Sequence, residues 1–123
     1  MDEEKIGTVK VAEEVIAITA AVAASKVAGV ASLGAGLSDA ISFKRSAPKG
    51  IKIDYETDQV RIDIYVNVYY GHKIPEIAWN IQEQVKSEVE NLTGEKVLAV
   101  NIHVQGVTFE EDAGTQEKEE ERS

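Results

Sequence analysis

The segment Gln59–Gly106 constrains the fold of this 123-residue chain more than any other part of it. In Gln59–Tyr70, apolar residues alternate with polar ones, which is the period of two of a half-buried strand. Gly71 ends that strand, and Pro75–Leu92 has a helical apolar stripe with proline at its first position. The alternation of apolar and polar residues returns in Lys96–Gln105. The segment therefore predicts a strand, a helix and a second strand.

The remaining elements follow from the same patterns. We predict a short strand at Ile6–Val11, a helix at Ala12–Val27, a short strand at Val30–Leu33, and a strand at Ile51–Tyr55 that forms a hairpin with Gln59–Tyr70. The order β-α-β-β-β-α-β predicts an α+β fold. Its expected form is a two-layer sandwich, in which a mixed sheet carries the two main helices on one face.

The charge lies mostly at the two ends of the chain. The chain has a formal net charge of −9. Residues 110–123 contain seven acidic and two basic residues, and residues 2–5 contain three acidic residues and one basic residue. We therefore expect an acidic N-terminal end at residues 1–5, one domain at residues 6–109, and a disordered acidic tail at residues 110–123. The acidic charge makes nucleic acid an unexpected partner.

The start of the chain and its apolar runs argue against insertion into a membrane. Met1–Lys5 is acidic, whereas a signal peptide begins with a basic region. The uncharged run Val15–Ser25 is shorter than the roughly 18–20 apolar residues that cross a bilayer. We expect a cytoplasmic protein with no direct membrane insertion.

The residue types needed for catalysis or metal binding are sparse. The chain has no cysteine and two histidines, His72 and His103, which supply too few ligands for a metal site. Gly34-Ala35-Gly36 lacks the lysine and hydroxyl of a phosphate loop and predicts a turn. If the two long strands are neighbours, Asp63 and His103 could form a dyad, but a solvated sheet face would carry the same residues. We expect no enzymatic activity, no metal and no cofactor.

Two apolar features admit two interpretations each. The first predicted helix is apolar nearly all round, which indicates either a partner over its outer side or alanines exposed to water. Trp79 lies well over 100° from the centre of the apolar stripe of the second helix. Its indole either lies over neighbouring side chains or belongs to a protein interface, where tryptophan is enriched.

The polar side of the two long strands is a candidate binding face. Its interpretations are polar pairing on a wetted sheet, a protein-binding face, or a platform for single-stranded nucleic acid. The candidate interface residues of the chain are Trp79, Tyr65, Tyr69, Asn101 and His103.

Several short motifs in order resemble one family. They are Gly29-Val30-Ala31, Lys49-Gly50-Ile51-Lys52-Ile53, Tyr70-Gly71-His72-Lys73-Ile74-Pro75-Glu76, Thr93-Gly94 and Val100-Asn101-Ile102-His103-Val104-Gln105-Gly106-Val107. The set is similar to the alkaline shock protein 23 family, the Gls-type envelope stress response proteins of Gram-positive bacteria. The similarity runs from about Ile6 to Phe109.

The resemblance implies a non-enzymatic cytoplasmic scaffold or adaptor in cell-envelope homeostasis or stress response. It would act through protein contacts and self-association, at the inner face of the membrane through an anchor protein. The alternative that the resemblance implies is a regulatory partner of fatty-acid or lipid synthesis enzymes. The family pattern supplies no catalytic residues. Trp79 and the acidic tail depart from that pattern, which leaves the partner open.

Overall fold

The chain forms two helices and four strands in a computed structural model that describes residues 6–34, 49–56 and 59–109. The helices are α1 (Glu13–Ser25) and α2 (Ile74–Thr93). The strands are β1 (Val30–Leu33), β2 (Ile51–Glu56), β3 (Gln59–Tyr69) and β4 (Lys96–Thr108).

The long strand β3 is the centre of the sheet. Its first half pairs with β2 and its second half with β1, both antiparallel, so that β1 and β2 follow one another along the same edge of β3. On its other edge β3 pairs with β4, and this pairing is parallel. The sheet is therefore mixed, as the sequence predicts, because α2 is the crossover that a parallel pair requires.

The core lies between the sheet and the two helices. Alternate residues of β3 are buried, which are Val60, Ile62, Ile64, Val66 and Val68. They pack with the buried side of α1, where alanines predominate, and with a branched aliphatic row on α2. Both helices thus lie on one face of the sheet, which confirms the predicted two-layer α+β architecture.

The second helix follows its sequence signals closely. Pro75 lies in its first turn, and Gly94 ends it in the left-handed conformation with φ 79°. The buried row on this helix consists of Ile77, Ile81, Val85 and Val89. Ile74 and Leu92 share that direction but are 41% and 66% exposed, since they lie at the two ends of the helix.

The predicted strand at Ile6–Val11 is wrong. Residues 6–12 form neither helix nor strand, and Ile6 and Val9 are 90% and 88% exposed. Alternation supplies the side-chain pattern of a strand, but a strand also needs a backbone partner, and residues 6–12 pair with none of the described strands. Val11 alone packs against the core, and its carbonyl accepts a 3.2 Å hydrogen bond from Tyr55 Oη. The observed order over the described residues is α-β-β-β-α-β.

Three predictions concern parts of the chain outside the described residues. They are the acidic N-terminal end at residues 1–5, the acidic tail at residues 110–123, and most of the Gly34-Ala35-Gly36 turn, of which the structure describes Gly34.

Candidate functional site

The parallel pairing of β3 with β4 brings four candidate side chains together on the sheet face opposite the helices. Asp63 lies opposite Asn101 in the register, and Tyr65 lies opposite His103. Asp63 Oδ1 accepts hydrogen bonds from His103 Nε2 at 2.9 Å and from Asn101 Nδ2 at 3.2 Å. The rings of Tyr65 and His103 stack with centroids 4.4 Å apart and an interplanar angle of 12°. We call Asp63, Tyr65, Asn101 and His103 the outer-face cluster.

The electrostatics of the outer-face cluster favour an ionised Asp63. The hydrogen bond from His103 lowers the pKa of Asp63 below its usual 3.8, and the bond from Asn101 and the charge of Lys52 act in the same direction. Partial burial opposes these effects. Lys52 lies directly opposite Asp63 on β2. The cluster is therefore a compact arrangement of one anion and its hydrogen-bond donors.

The Asp63–His103 pair of this cluster lies on an open part of the sheet surface. The Asp63 and His103 side chains are 21% and 43% exposed on an open sheet face. The Nε2 atom of His103 is already bonded to Asp63, and the imidazole ring is stacked on a phenol. General-base catalysis needs the imidazole within hydrogen-bond reach of a nucleophile in a shielded site. Among the described residues, no group of three or more metal-ligating side chains occurs.

Tyr69 and Asn67 continue the same face towards the end of β3. Tyr69 is half-buried and lies opposite Thr108 of β4. Asn67 Nδ2 donates to Ser32 Oγ at 3.0 Å and to the Gly34 carbonyl at 3.1 Å. Polar pairing across strands thus accounts for Asn67, while the outer-face cluster and Tyr69 keep polar and aromatic surface in contact with water.

Trp79 lies apart from the outer-face cluster. Its side chain is 60% exposed on α2, and it lines an open depression of about 240 Å³ together with Leu98 and Lys86. The depression is bounded on its other side by β4 from Val97 to Val100. Both sequence interpretations of Trp79 remain compatible with this placement, since the indole has neighbours and is also accessible.

The outer side of α1 is a second exposed apolar surface. Val15, Ile18 and Val22 are 41%, 50% and 52% exposed, and their spacing places them on one side of the helix. The opposite side is buried, with Ile16 and Ala20 at 0% exposure. We call Val15, Ile18 and Val22 the α1 stripe.

Sequence reasoning noted that the first helix is apolar nearly all round, without naming the residues of the α1 stripe, and it did not single out the exposed apolar residues of β4. Leu98, Val104 and Val107 of β4 are 41%, 36% and 50% exposed. The available signal was the absence of charge and proline from Leu98 to Phe109, which is unusual for a strand at the edge of a sheet. An uncharged strand is unusual only at the edge of a sheet, and the sequence alone does not show that β4 lies at an edge.

No helix in the described part of the chain has the length and apolar character needed to span a bilayer.

Curated relatives cover nearly the whole chain. It is 35% identical over 118 residues to the uncharacterised protein YqhY of Bacillus subtilis, which covers 92% of this chain and 87% of YqhY. It is 38% identical over 112 residues to the uncharacterised protein Spy1535 of Streptococcus pyogenes, with 89% and 86% coverage. The protein YloU of Bacillus subtilis is 38% identical over 109 residues, with 84% and 90% coverage.

Solved structures add a likeness in fold. The MamM-CTD structure of residues 215–293 superposes with a TM-score of 0.50 and 15% sequence identity, and covers 77% of this chain and 99% of that one. At that identity the likeness concerns the fold alone. The model of the alkaline shock protein 23 family, described as having a cell envelope-related function, matches residues 1–109. The chain therefore belongs to the alkaline shock protein 23 family, whose description relates its function to the cell envelope.

Proposed function

We propose that the chain is a non-enzymatic scaffold or adaptor in cell-envelope homeostasis or stress response. It acts through protein contacts and self-association, and it is held in the cytoplasm at the inner face of the membrane by a partner protein. The envelope-related family supports the setting. The acidic composition argues against nucleic acid as the partner.

The single observation that carries the proposal is the exposed indole of Trp79 beside Leu98. A well-packed core already exists elsewhere, so folding does not require Trp79 on α2. Large aromatic side chains next to an apolar strand are typical of the centres of protein interfaces. Exposure of the Leu98 and Trp79 side chains to water costs free energy, and burial of both against a protein partner would remove that cost.

The test is capture of partners from a lysate whose membranes are kept and gently solubilised, with the intact chain as bait. We expect Trp79→Lys to reduce recovery of a membrane protein while keeping the free energy of unfolding within about 1 kcal/mol, as for a surface position. Asn80→Lys is the matched control, because it adds the same charge at the exposed neighbouring position. It should leave capture unchanged.

Two results would contradict the proposal. A loss of several kcal/mol in urea unfolding of Trp79→Lys would mean that the indole stabilises the fold. Equal capture by Trp79→Lys and Asn80→Lys would remove Trp79 from the interface.

The outer-face cluster supports a second candidate, in which the chain regulates a lipid-synthesis enzyme by binding it through the sheet. The stacked and hydrogen-bonded side chains are held in place before any partner binds, which reduces the entropic cost of association. In the same capture experiment, recovery of soluble biosynthetic enzymes alone would favour this candidate. It fails if Tyr65→Ala combined with Tyr69→Ala leaves every captured protein unchanged.

A further inference from the structure

The strand β4 has one edge without a strand partner in the described part of the chain. The N–H groups of Tyr65 and Tyr69 donate to carbonyls on the β1 and β2 side of β3. Because backbone groups of successive residues in a strand point to opposite edges, the residues between them face β4. By the same alternation in β4, the N–H and C=O groups of Ile102 and Val104 point away from the sheet.

Side chains of α2 satisfy the first part of this edge. Gln82 Nε2 donates to the Val100 carbonyl at 3.0 Å, and the Val97 N–H donates to the Glu90 carboxylate at 2.9 Å. Within residues 6–34, 49–56 and 59–109, no side chain gives such a hydrogen bond to Ile102 or Val104. With respect to the described residues, the second half of the edge therefore presents unpaired backbone donors and acceptors, which a further strand would satisfy. We call this region, Ile102–Thr108, the open edge.

The two sides of the sheet differ in how they are protected. The opposite side consists of two short strands, of 4 and 6 residues, and β2 carries Lys52, Asp54 and Glu56. Short strands and charged residues are the usual protection against pairing between molecules. β4 has 13 residues, and no charged residue or proline occurs from Leu98 to Phe109. This contrast indicates that β4 is covered in the working protein.

We propose that the open edge pairs antiparallel with the open edge of a second copy of this chain, so that two sheets join into one. The inference rests on the self-association part of the proposed function and names its surface. A two-fold axis near the middle of the open edge makes each strand the partner of the other, and the pair leaves no second open edge of β4 for a third copy.

Charge favours a second copy in this orientation. Each chain carries a net charge of −9, most of it in residues 1–5 and 110–123, whereas the open edge carries no Asp or Glu. Residues 110–123, with seven acidic residues, follow β4 in the sequence after Phe109. In an antiparallel pair the two chains leave the paired open edges at opposite ends, about 20–25 Å apart for seven paired residues. A parallel pair would place both acidic segments side by side.

The apolar side chains agree with this placement. Val104 and Val107 lie on the helix side of β4, in register with the buried Val66 and Val68, yet they are 36% and 50% exposed. A second strand along the open edge would cover them as the core covers their neighbours.

Engineered cysteines give a direct test, because the natural chain has none. Single variants Ala99→Cys, Asn101→Cys, Gln105→Cys and Thr108→Cys are oxidised in the full chain. We expect self-cross-linking to be strongest at Gln105, in the middle of the open edge, together with a cross-link in the mixture of Asn101→Cys with Thr108→Cys. Only antiparallel pairs bring positions 101 and 108 of the two strands within the distance that a disulfide requires. Strong self-cross-linking at both Ala99 and Thr108 would indicate a parallel pair and overturn the proposal. Cross-links from β4 to Val9→Cys, instead of to a second β4, would overturn it as well.

A proline variant tests the backbone pairing. Val104→Pro removes an N–H that points away from the sheet, a position that an edge strand tolerates. We expect unchanged far-ultraviolet circular dichroism and dimerisation weakened by about tenfold or more in sedimentation analysis. Val107→Lys leaves the backbone intact and should also weaken dimerisation. Val22→Lys, on the α1 stripe, is the matched control for the added charge.

The outcomes separate this inference from the proposed function. A chain that stays monomeric at high concentration, or dimerisation that neither Val104→Pro nor Val107→Lys weakens, overturns the inference. In that case the adaptor function would still be supported if the chain captures a membrane protein and Trp79→Lys reduces that capture. If the chain captures no membrane protein but its β4 strands do pair, the adaptor function is overturned and the inference stands.

Discussion

At the scale of single residues, Asp63 has the most definite environment on the polar face of the sheet. Its carboxylate accepts hydrogen bonds from His103 and Asn101, and the bond from His103 is the largest cause of its lowered pKa. A carboxylate whose pKa is lower in the folded chain stabilises the fold above its unfolded pKa of 3.8, and loses that effect as the pH falls through the folded value.

We therefore expect Asp63→Asn to lower the free energy of unfolding by about 0.5–1 kcal/mol at neutral pH, a modest effect because water screens the cluster. The difference from the natural chain should shrink as the pH falls below 3.8 and through the lower pKa of the folded chain. Urea unfolding at several pH values measures it. Glu83→Gln, at an exposed position on α2, serves as the control. A difference that persists unchanged at low pH would mean that the charge of Asp63 is not its cause.

At the scale of elements, the join between β1 and β2 depends on two glycines. Gly34 follows β1 and Gly50 precedes β2, and both bond to the same residue of β3: the Gly34 N–H donates to the Tyr65 carbonyl, and the Tyr65 N–H donates to the Gly50 carbonyl. A Cβ atom on Gly50 would lie 2.5 Å from the Gly34 nitrogen, which is backbone and has no room to move. This close approach keeps the two short strands in line along β3.

Gly50 and Gly94 permit a matched comparison, because both have φ 79°. An alanine at Gly94 would meet the strain of the left-handed backbone but no atom within 4 Å. We expect Gly94→Ala to cost about 1 kcal/mol and Gly50→Ala to cost at least about 1–2 kcal/mol more, because of the backbone contact. Thermal or urea unfolding of the two variants gives the difference. Equal losses would show that the strands can separate at no cost.

At the scale of the whole molecule, the net charge of the chain opposes self-association. Two copies with a net charge of −9 repel each other, and dissolved salt screens that repulsion beyond roughly 10 Å at 0.1 M. Pairing through the open edge requires no attraction between opposite charges.

We therefore expect self-association to strengthen as the salt concentration rises, which sedimentation equilibrium at low and moderate ionic strength would measure. Val104→Pro should show little association at either salt concentration. Association that weakens with salt would instead indicate contacts between opposite charges, and the interface would have to include basic residues such as Lys49 or Lys52.

The sequence alone determined the elements whose signals are local. The alternation in β3, proline at the start of α2 and glycine at its end act within a few residues of one another, so they predict the strand, the helix and the direction of its buried row. The resemblance to the family came from the sequence as well. Asp63 and His103 were recognised as a conditional pair, since their meeting depended on which strands are neighbours.

The tertiary structure decided everything that depends on pairing between distant segments. It rejected a strand at Ile6–Val11, because an alternating pattern becomes a strand only where its backbone pairs with a neighbour. It joined Asp63 to His103, 40 residues apart in the chain, through the parallel register of β3 and β4. It also placed β4, which carries no charge after Lys96, at the edge of the sheet. Burial and edge position are properties of the assembled sheet, whereas alternation along one strand only says which side chains share a face.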